Sequence, residues 1–205
     1  MGTYIAISGN IGSGKSTILN LLRERLNKKK YTFIDEPVET WKSIKDKNGI
    51  NALQHYYNDP QKNGFNLQML ALITRIEKMK QANEEEGKIF IGERCLHEDK
   101  EVFAKLSTDD GFISGIEYET YKHYFKAFKI KEPTKIFYIN LQPKECLERI
   151  KERGREEEAD ITLDYLKKLH LYYAEWVCGG DIPIIFLDGN ETPKSLADRI
   201  INEIS

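Results

Sequence analysis

The sequence predicts a three-layer α/β/α protein built on a five-stranded parallel sheet. Two observations carry this. Five short runs, Thr3–Ser8, Tyr31–Asp35, Lys88–Gly92, Lys135–Asn140 and Pro183–Leu187, are rich in β-branched and aromatic residues. Each is nearly continuous in apolar character, as strands covered on both faces are. Helical patterns separate them, and strand alternating with helix is the signature of a parallel sheet. A length of 205 residues suits a single domain around one core, residues 1–205.

In chain order, the first strand passes through a glycine-rich loop into a helix expected over Lys15–Asn27. The second strand ends in a carboxylate followed by Pro37, which fixes the chain leaving the sheet. Asn58–Gly64 (NDPQKNG) reads as a turn cluster ahead of an apolar helix over Phe65–Asn83. The third strand leads to a long helical region from Asp99 to Lys129. Pro143 is placed as the first-turn proline of a helix reaching Arg153, and Thr192–Pro193 opens the last helix, to Ile204, similarly. Between them a helix spans Ile161–Val177. No repeat, low-complexity tract or linker interrupts the pattern.

Thirty-one basic residues against 33 acidic ones give a formal charge of −2, which excludes a global attraction to nucleic acid or anionic membrane. Affinity for phosphate must be local. The N-terminus carries no basic n-region, and no apolar run reaches the roughly eighteen residues of a membrane span. Gly2 follows Met1, but Ala6 stands where a myristoylation signal wants Ser or Thr. A soluble, cytoplasmic protein is expected. Cys95, Cys146 and Cys178 are odd in number and widely spaced, and His55, His97, His123 and His170 are scattered, so neither a disulfide framework nor a zinc site is indicated.

Gly9-Asn10-Ile11-Gly12-Ser13-Gly14-Lys15-Ser16, followed by Thr17, fits G-x-x-x-x-G-K-S/T between a strand and a helix. That context separates it from a chance glycine-rich turn. Glycines let successive N–H groups face inward, and the helix N-terminus beyond adds partial positive charge. Lys15 is suited to reach β- and γ-phosphates, and the Ser16 hydroxyl to join a Mg²⁺ shell. A nucleoside triphosphate, ATP, with Mg²⁺ is therefore expected. The loop alone names no reaction. The N-K-x-D base-reading motif of GTPases is absent, and the acidic end of Phe33–Glu36 comes earlier than motor ATPases place it.

The acceptor must be sought at the carboxyl edge of the sheet, where open α/β sheets bind ligands. Glu36 belongs there, and its carboxylate can accept the proton of an attacking hydroxyl. Glu93 at a strand end can support Mg²⁺ through a water, and Arg94 can neutralise a phosphoryl group. Arg149 and Arg153 lie four apart on one helix face, and Arg155 follows a glycine hinge. Three such arginines would grip γ-phosphate oxygens as a lid closes; a solvated face paired with the following glutamates is the plainer alternative. Gln68 and Arg75 stand seven residues apart in line with Leu72 and Met79. A glutamine has both donor and acceptor for a base edge.

Glu36-Pro37-Val38 with Trp41, Glu93-Arg94-Cys95, and Arg149 with Arg153-Gly154-Arg155-Glu156-Glu157-Glu158 together resemble the deoxynucleoside kinase family, in order and spacing from Ile5 to Glu191. The resemblance implies transfer of the γ-phosphate of ATP to the 5′-hydroxyl of a deoxyribonucleoside, a small-molecule partner, with no nucleic acid or membrane. It implies Glu36 as general base, with Lys15 and Arg94 stabilising charge. Trp41 would line the nucleoside pocket, Gln68 would read the base, and Arg75 would pair with Asp99. Tyr57 and Glu158 would share the 3′-hydroxyl, leaving little room for a 2′-hydroxyl. Asp188, Gly189, Asn190 and Glu191 would hold the adenine of ATP, mainly through backbone.

An Arg–Asp pair resembles the deoxycytidine and deoxypurine members rather than those preferring thymidine. Cys95 departs from the family's serine and removes any hydroxyl hydrogen bond made there. Members are commonly homodimers through helices, for which the aromatics Tyr118, Tyr121, Tyr124, Phe125 and Phe128 are a candidate surface. Two other readings stay open. A nucleoside monophosphate kinase such as thymidylate kinase would share loop and lid but needs basic residues for the acceptor's phosphate. A P-loop switch module would have no small-molecule acceptor.

Overall fold

In the computed structural model, which describes residues 3–83, 87–128 and 131–204, the five strands form one parallel sheet in the order β2-β3-β1-β4-β5. They are β1 (Tyr4–Gly9), β2 (Tyr31–Ile34), β3 (Ile89–Glu93), β4 (Lys135–Asn140) and β5 (Ile184–Asp188). The chain leaves β1 towards one edge of the sheet and leaves β3 towards the other. The direction therefore reverses between β1 and β3, and a crevice opens at their carboxyl ends. Ile7 is paired with Glu93 there, and Gly9 with Ile139 on the other side.

Alternation along β1 divides the core between two faces. Ile5 and Ile7 pack with Ile18, Leu19 and Leu22 of α1 (Lys15–Arg25) and Leu196 and Ile200 of α10 (Pro193–Ile204). Tyr4 and Ala6 face the other way, onto Leu72 and Ile76 of α4 (Pro60–Asn83) and Tyr121 of α7 (Gly115–Ala127). On that same face Tyr138 of β4 packs with Cys146 and Ile150 of α8 (Pro143–Arg153) and Leu166, Leu169 and Tyr173 of α9 (Leu163–Gly179). Each fully buried Leu, Ile or Phe contributes about 1.5–3 kcal/mol, so both layers hold the sheet firmly.

Several boundaries differ from the sequence expectation for identifiable reasons. Asn58–Gly64 is not a turn: α4 starts at Pro60, whose missing N–H costs nothing in a first turn, and Asp59 Oδ1 accepts the Lys62 N–H at 3.1 Å. Two short helices were not expected, α2 (Val38–Ser43) and α3 (Ala52–Asn58). The second is held by a reciprocal cap between Asn51 and Gln54. The long helical region expected from Asp99 begins earlier, with α5 (Leu96–Glu98), and is broken into a π-helical turn (Asp99–Ala104), α6 (Lys105–Asp109) and α7. Gly111 turns the chain at φ 77°, and Ser114 with Glu117 caps α7 afresh. Its expected end at Lys129 lies outside the described residues. Pro143 and Pro193 open α8 and α10 as expected.

The aromatic stripe on α7 is also divided. Tyr121 is fully buried in the core, whereas Tyr124 and Phe128 are exposed. Among the described residues no helix is long and apolar enough to cross a membrane.

Candidate active site

The loop leaving β1 curls against α8. A Cβ on Gly12, at φ 80°, would lie 2.5 Å from the Cys146 carbonyl oxygen, so only glycine fits this approach. Gly14, at φ 97°, turns the chain into α1. Lys15 is buried and folds back on its own loop, its Nζ donating to the Gly9 carbonyl at 2.9 Å and the Asn10 carbonyl at 2.7 Å. Burial, helped by Arg94, lowers its pKa to about 8. The Asn10 side chain is spent on shape: Nδ2 donates to the Leu166 carbonyl and Oδ1 accepts the Ile11 N–H. Ser13 Oγ is buried with no hydrogen-bond partner among the described residues. Ser16 Oγ donates to Glu93 Oε1 at 2.9 Å, joining the loop to the end of β3.

The parallel pairing of β2, β3 and β1 brings their exits to one edge. Glu36 Oε1 accepts from Arg75 Nη2 at 2.5 Å and Arg94 Nε at 3.1 Å. Burial by itself raises the Glu36 carboxyl, but Arg94, Arg75 and Lys15 overcome it and hold the pKa down to about 2. Arg75 Nη1 donates to the Glu93 carbonyl at 3.1 Å, and its Nε lies 2.5 Å from Asp99 Oδ2. That approach is off the hydrogen-bond direction, leaving an ion pair. Burial pushes Asp99 up to about 7 despite Arg75. Burial and the nearby Glu36 charge likewise raise Glu93.

These groups line a cleft of about 520 Å³ running from the loop to α4, a size suited to a small organic ligand. Gly12, Gly14, Lys15, Ser16 and Thr17 form one end. Trp41, Tyr57, Gln68, Arg75 and Asp99 form the other, with Glu36, Glu93 and Arg94 between. Trp41 is fixed by its Nε1 donating to Thr74 Oγ1 at 2.9 Å, with the Arg75 guanidinium 5.7 Å from its ring. Arg153, Arg155 and Glu158 close the rim. Glu158 binds Arg153 at 2.5 Å and Arg155 at 3.3 Å, around Gly154 in the left-handed conformation.

Two expected donor contacts flank the phosphate loop without lining the cleft itself. Arg149 donates to the Ser13 carbonyl at 3.4 Å and the Gly189 carbonyl at 2.9 Å, tying the loop to the exit of β5. Asp188 accepts the Asn190 N–H at 3.0 Å, and Glu191 pairs with Arg199 at 2.7 Å, so Asp188–Glu191 is an ordered turn beside the loop.

The sequence reading missed Glu98, Tyr173, Thr74 and Ser8, all of which touch the machinery. Only Glu98 left a signal, standing four residues after Arg94. Ser16 and Glu93 offer two oxygens to one point of the cleft, which fits Mg²⁺, an ion that completes its shell with water and phosphate oxygens. Among the described residues no cluster of three or more His, Cys, Asp or Glu offers a fuller protein cage.

Comparison with known proteins meets this geometry. The family model described as deoxynucleoside kinase matches residues 5–205. A deoxyadenosine kinase from Dictyostelium discoideum is 33% identical over 205 residues, 97% of this chain and 78% of the relative. A deoxycytidine kinase from Bos taurus is 29% identical, over 98% of this chain and 88% of the relative. A solved structure of deoxyadenosine kinase from M. mycoides, with products dCMP and a flexible dCDP bound, superposes with a TM-score of 0.83 at 29% identity, covering 98% of each chain. The loop, the carboxyl-edge glutamates and the near full-length matches agree, and the chain belongs to the deoxynucleoside kinase family.

Proposed function

We propose that this enzyme transfers the γ-phosphate of ATP to the 5′-hydroxyl of deoxycytidine or a deoxypurine nucleoside in preference to thymidine. One observation carries the preference: Arg75 is held between Glu36 and Asp99, on the same α4 face as the buried Gln68. The amide of Gln68 offers a donor and an acceptor to a base edge. Asp99 accepts from an exocyclic amino group of the kind cytosine and adenine carry, whereas thymine presents a carbonyl and a methyl. The names of the relatives, deoxyadenosine and deoxycytidine kinases, support this choice.

In this reading Glu36 accepts the 5′-hydroxyl proton. A carboxylate at about 2 is a weak base toward a free hydroxyl, but the phosphoryl transition state is loose and the proton leaves late, when the bridging oxygen has become strongly acidic, so an ionised carboxylate suffices as acceptor. Lys15 exchanges its loop carbonyls for β- and γ-phosphate oxygens, and Arg94 faces the transferring group. Ser16 and Glu93 would hold Mg²⁺, which supplies neutralisation of phosphate charge when bound. Arg153 and Arg155 act as a lid by exchanging Glu158 for the γ-phosphate, while Glu158 and Tyr57 take the 3′-hydroxyl. The Asp188–Glu191 turn and Arg149 serve the adenine end. A homodimer covers exposed Ile73 on α4, Tyr124 on α7 and Phe128 just past the end of α7.

The deciding experiment is the initial rate with ATP·Mg²⁺ and each of the four deoxynucleosides, with ribonucleosides and monophosphates as controls. Strong turnover of deoxycytidine or a deoxypurine with thymidine poor is expected. Thymidine as best substrate would remove the Arg75–Asp99 argument and keep the kinase; preferred turnover of monophosphates would remove the acceptor assignment.

A further inference from the structure

Arg94 is the one non-glycine residue with positive φ among the described residues, at 67°. A long side chain in that conformation is strained and persists only where its surroundings over-determine it. The backbone is fixed by the Arg94 N–H donating to the Ile7 carbonyl at 2.9 Å and by Tyr4 Oη donating to the Arg94 carbonyl at 3.0 Å. The guanidinium is held from behind by a carboxylate that the reaction itself does not use.

Glu98 is fully buried, and one of its carboxylate oxygens is given to Arg94 and to a neighbour of Arg94. Its Oε1 accepts from Arg94 Nη1 at 2.5 Å and from the Tyr173 hydroxyl. Its Oε2 accepts from Ser8 Oγ at 2.5 Å, at the carboxyl end of β1. Arg94 Nη1 also reaches the Gly9 carbonyl at 3.0 Å and the Tyr173 hydroxyl, while Phe103 lies under the guanidinium at 4.7 Å. Nε is taken by Glu36, and Nη2 takes part in none of these bonds. Three elements, β1, α5 and α9, thus converge on Nη1 of an arginine that also lines the cleft. Burying an ion pair costs desolvation that the pairing only partly repays, so its value lies in position rather than stability.

We propose that Glu98, braced by Ser8 and Tyr173, is the positioning residue that sets Arg94 for phosphoryl transfer. Glu98 itself is fully buried and does not line the cleft. The proposal rests on the kinase reading above, since it assigns a role in that reaction.

Glu98→Gln keeps the shape and one acceptor but removes the charge that orients Nη1; Tyr173→Phe removes the brace and leaves the ion pair. Steady-state kinetics of both, alone and combined with Arg94→Ala, separate positioning from structure. Glu98→Gln is expected to lower kcat on the order of ten- to a hundred-fold, the scale of a small misplacement at the reacting centre, with KM for both substrates within a few-fold. In the Arg94→Ala background it should add no further loss, because the residue it positions is gone. Unchanged kcat, or an equal loss in both backgrounds, would overturn the proposal. Should circular dichroism find Glu98→Gln unfolded, Tyr173→Phe decides by the same two comparisons. Wild-type turnover with unaffected variants overturns the positioning role alone; absent wild-type turnover overturns the kinase reading and this role with it.

Discussion

Arg94 Nε donates to Glu36 Oε1 at 3.1 Å, so the carboxylate that would accept the substrate proton is aimed by an arginine that would also face the phosphoryl group. The pair couples acceptor and donor chemistry across the mouth of β2 and β3. Replacing Glu36 by Gln keeps the shape and removes the proton acceptor. Turnover should fall by about 10²–10⁴-fold, the usual contribution of a positioned general base, while ATP binding changes little. Rapid-quench turnover and equilibrium nucleotide binding on the same variant check this; unchanged turnover would remove Glu36 from the role of base.

Ser16 and Glu93 meet at 2.9 Å at the phosphate end of the cleft. If they hold Mg²⁺ between them, Ser16→Ala should raise the Mg²⁺ concentration needed for half-maximal rate on the order of tenfold, with rate partly recovered at saturating Mg²⁺. Because burial raises the Glu93 pKa, lowering the pH should protonate it early and raise the Mg²⁺ requirement further. A Mg²⁺ titration of wild type and variant at two pH values reads both effects. Identical titrations would exclude this pair as the metal site.

Much of this site was legible in the sequence because its parts sit at strand ends, where the pattern of apolar runs locates them. The loop Gly9–Ser16, Glu36 after β2 and Glu93-Arg94 at the end of β3 are each found from an apolar run and the residues that stop it. The Arg75–Asp99 pair could be expected only through the family resemblance. Glu98 left only its four-residue spacing from Arg94, since a glutamate after Leu96 and His97 reads as surface until Ser8 and Tyr173 arrive from distant segments to bury it. Helix boundaries failed for local reasons. Pro60 reads as a turn residue as readily as a first helical residue, and the break at Gly111 interrupts no apolar periodicity.

Gly12 should tolerate no side chain. At φ 80° an added Cβ would meet the Cys146 carbonyl at 2.5 Å and Ile150 Cγ1 at 2.9 Å, pushing the loop off α8. Gly12→Ala should lose about 1–3 kcal/mol of stability and most ATP affinity. Gly49→Ala is the control: its φ of 83° carries backbone strain, but nothing lies within 4 Å of the new Cβ. Thermal unfolding and nucleotide titration of both should find ATP affinity lost only in the first. Normal ATP binding by Gly12→Ala would show that the loop does not need its seat on α8.

Asp99 gives the fold a dependence on pH that can be isolated. Burial holds its carboxyl up to about 7, against an ordinary value of 3.8, with Arg75 offsetting only part of the cost. Between those values the native protein binds a proton there that the unfolded chain does not, so the free energy of unfolding falls as pH rises. The contribution of protonated Asp99 is full below about 4 and is lost as pH passes through about 7. Asp99→Asn has no such titration. Denaturant unfolding of both proteins from pH 4.5 to 8.5 should find wild type losing stability relative to the variant up to about pH 7, then running parallel to it. Glu36, held down to about 2, acts in the opposite sense but below this range, so it does not produce the same curve. A difference that stays constant across the range would mean that Asp99 is ionised throughout, with Arg75 fully compensating its burial.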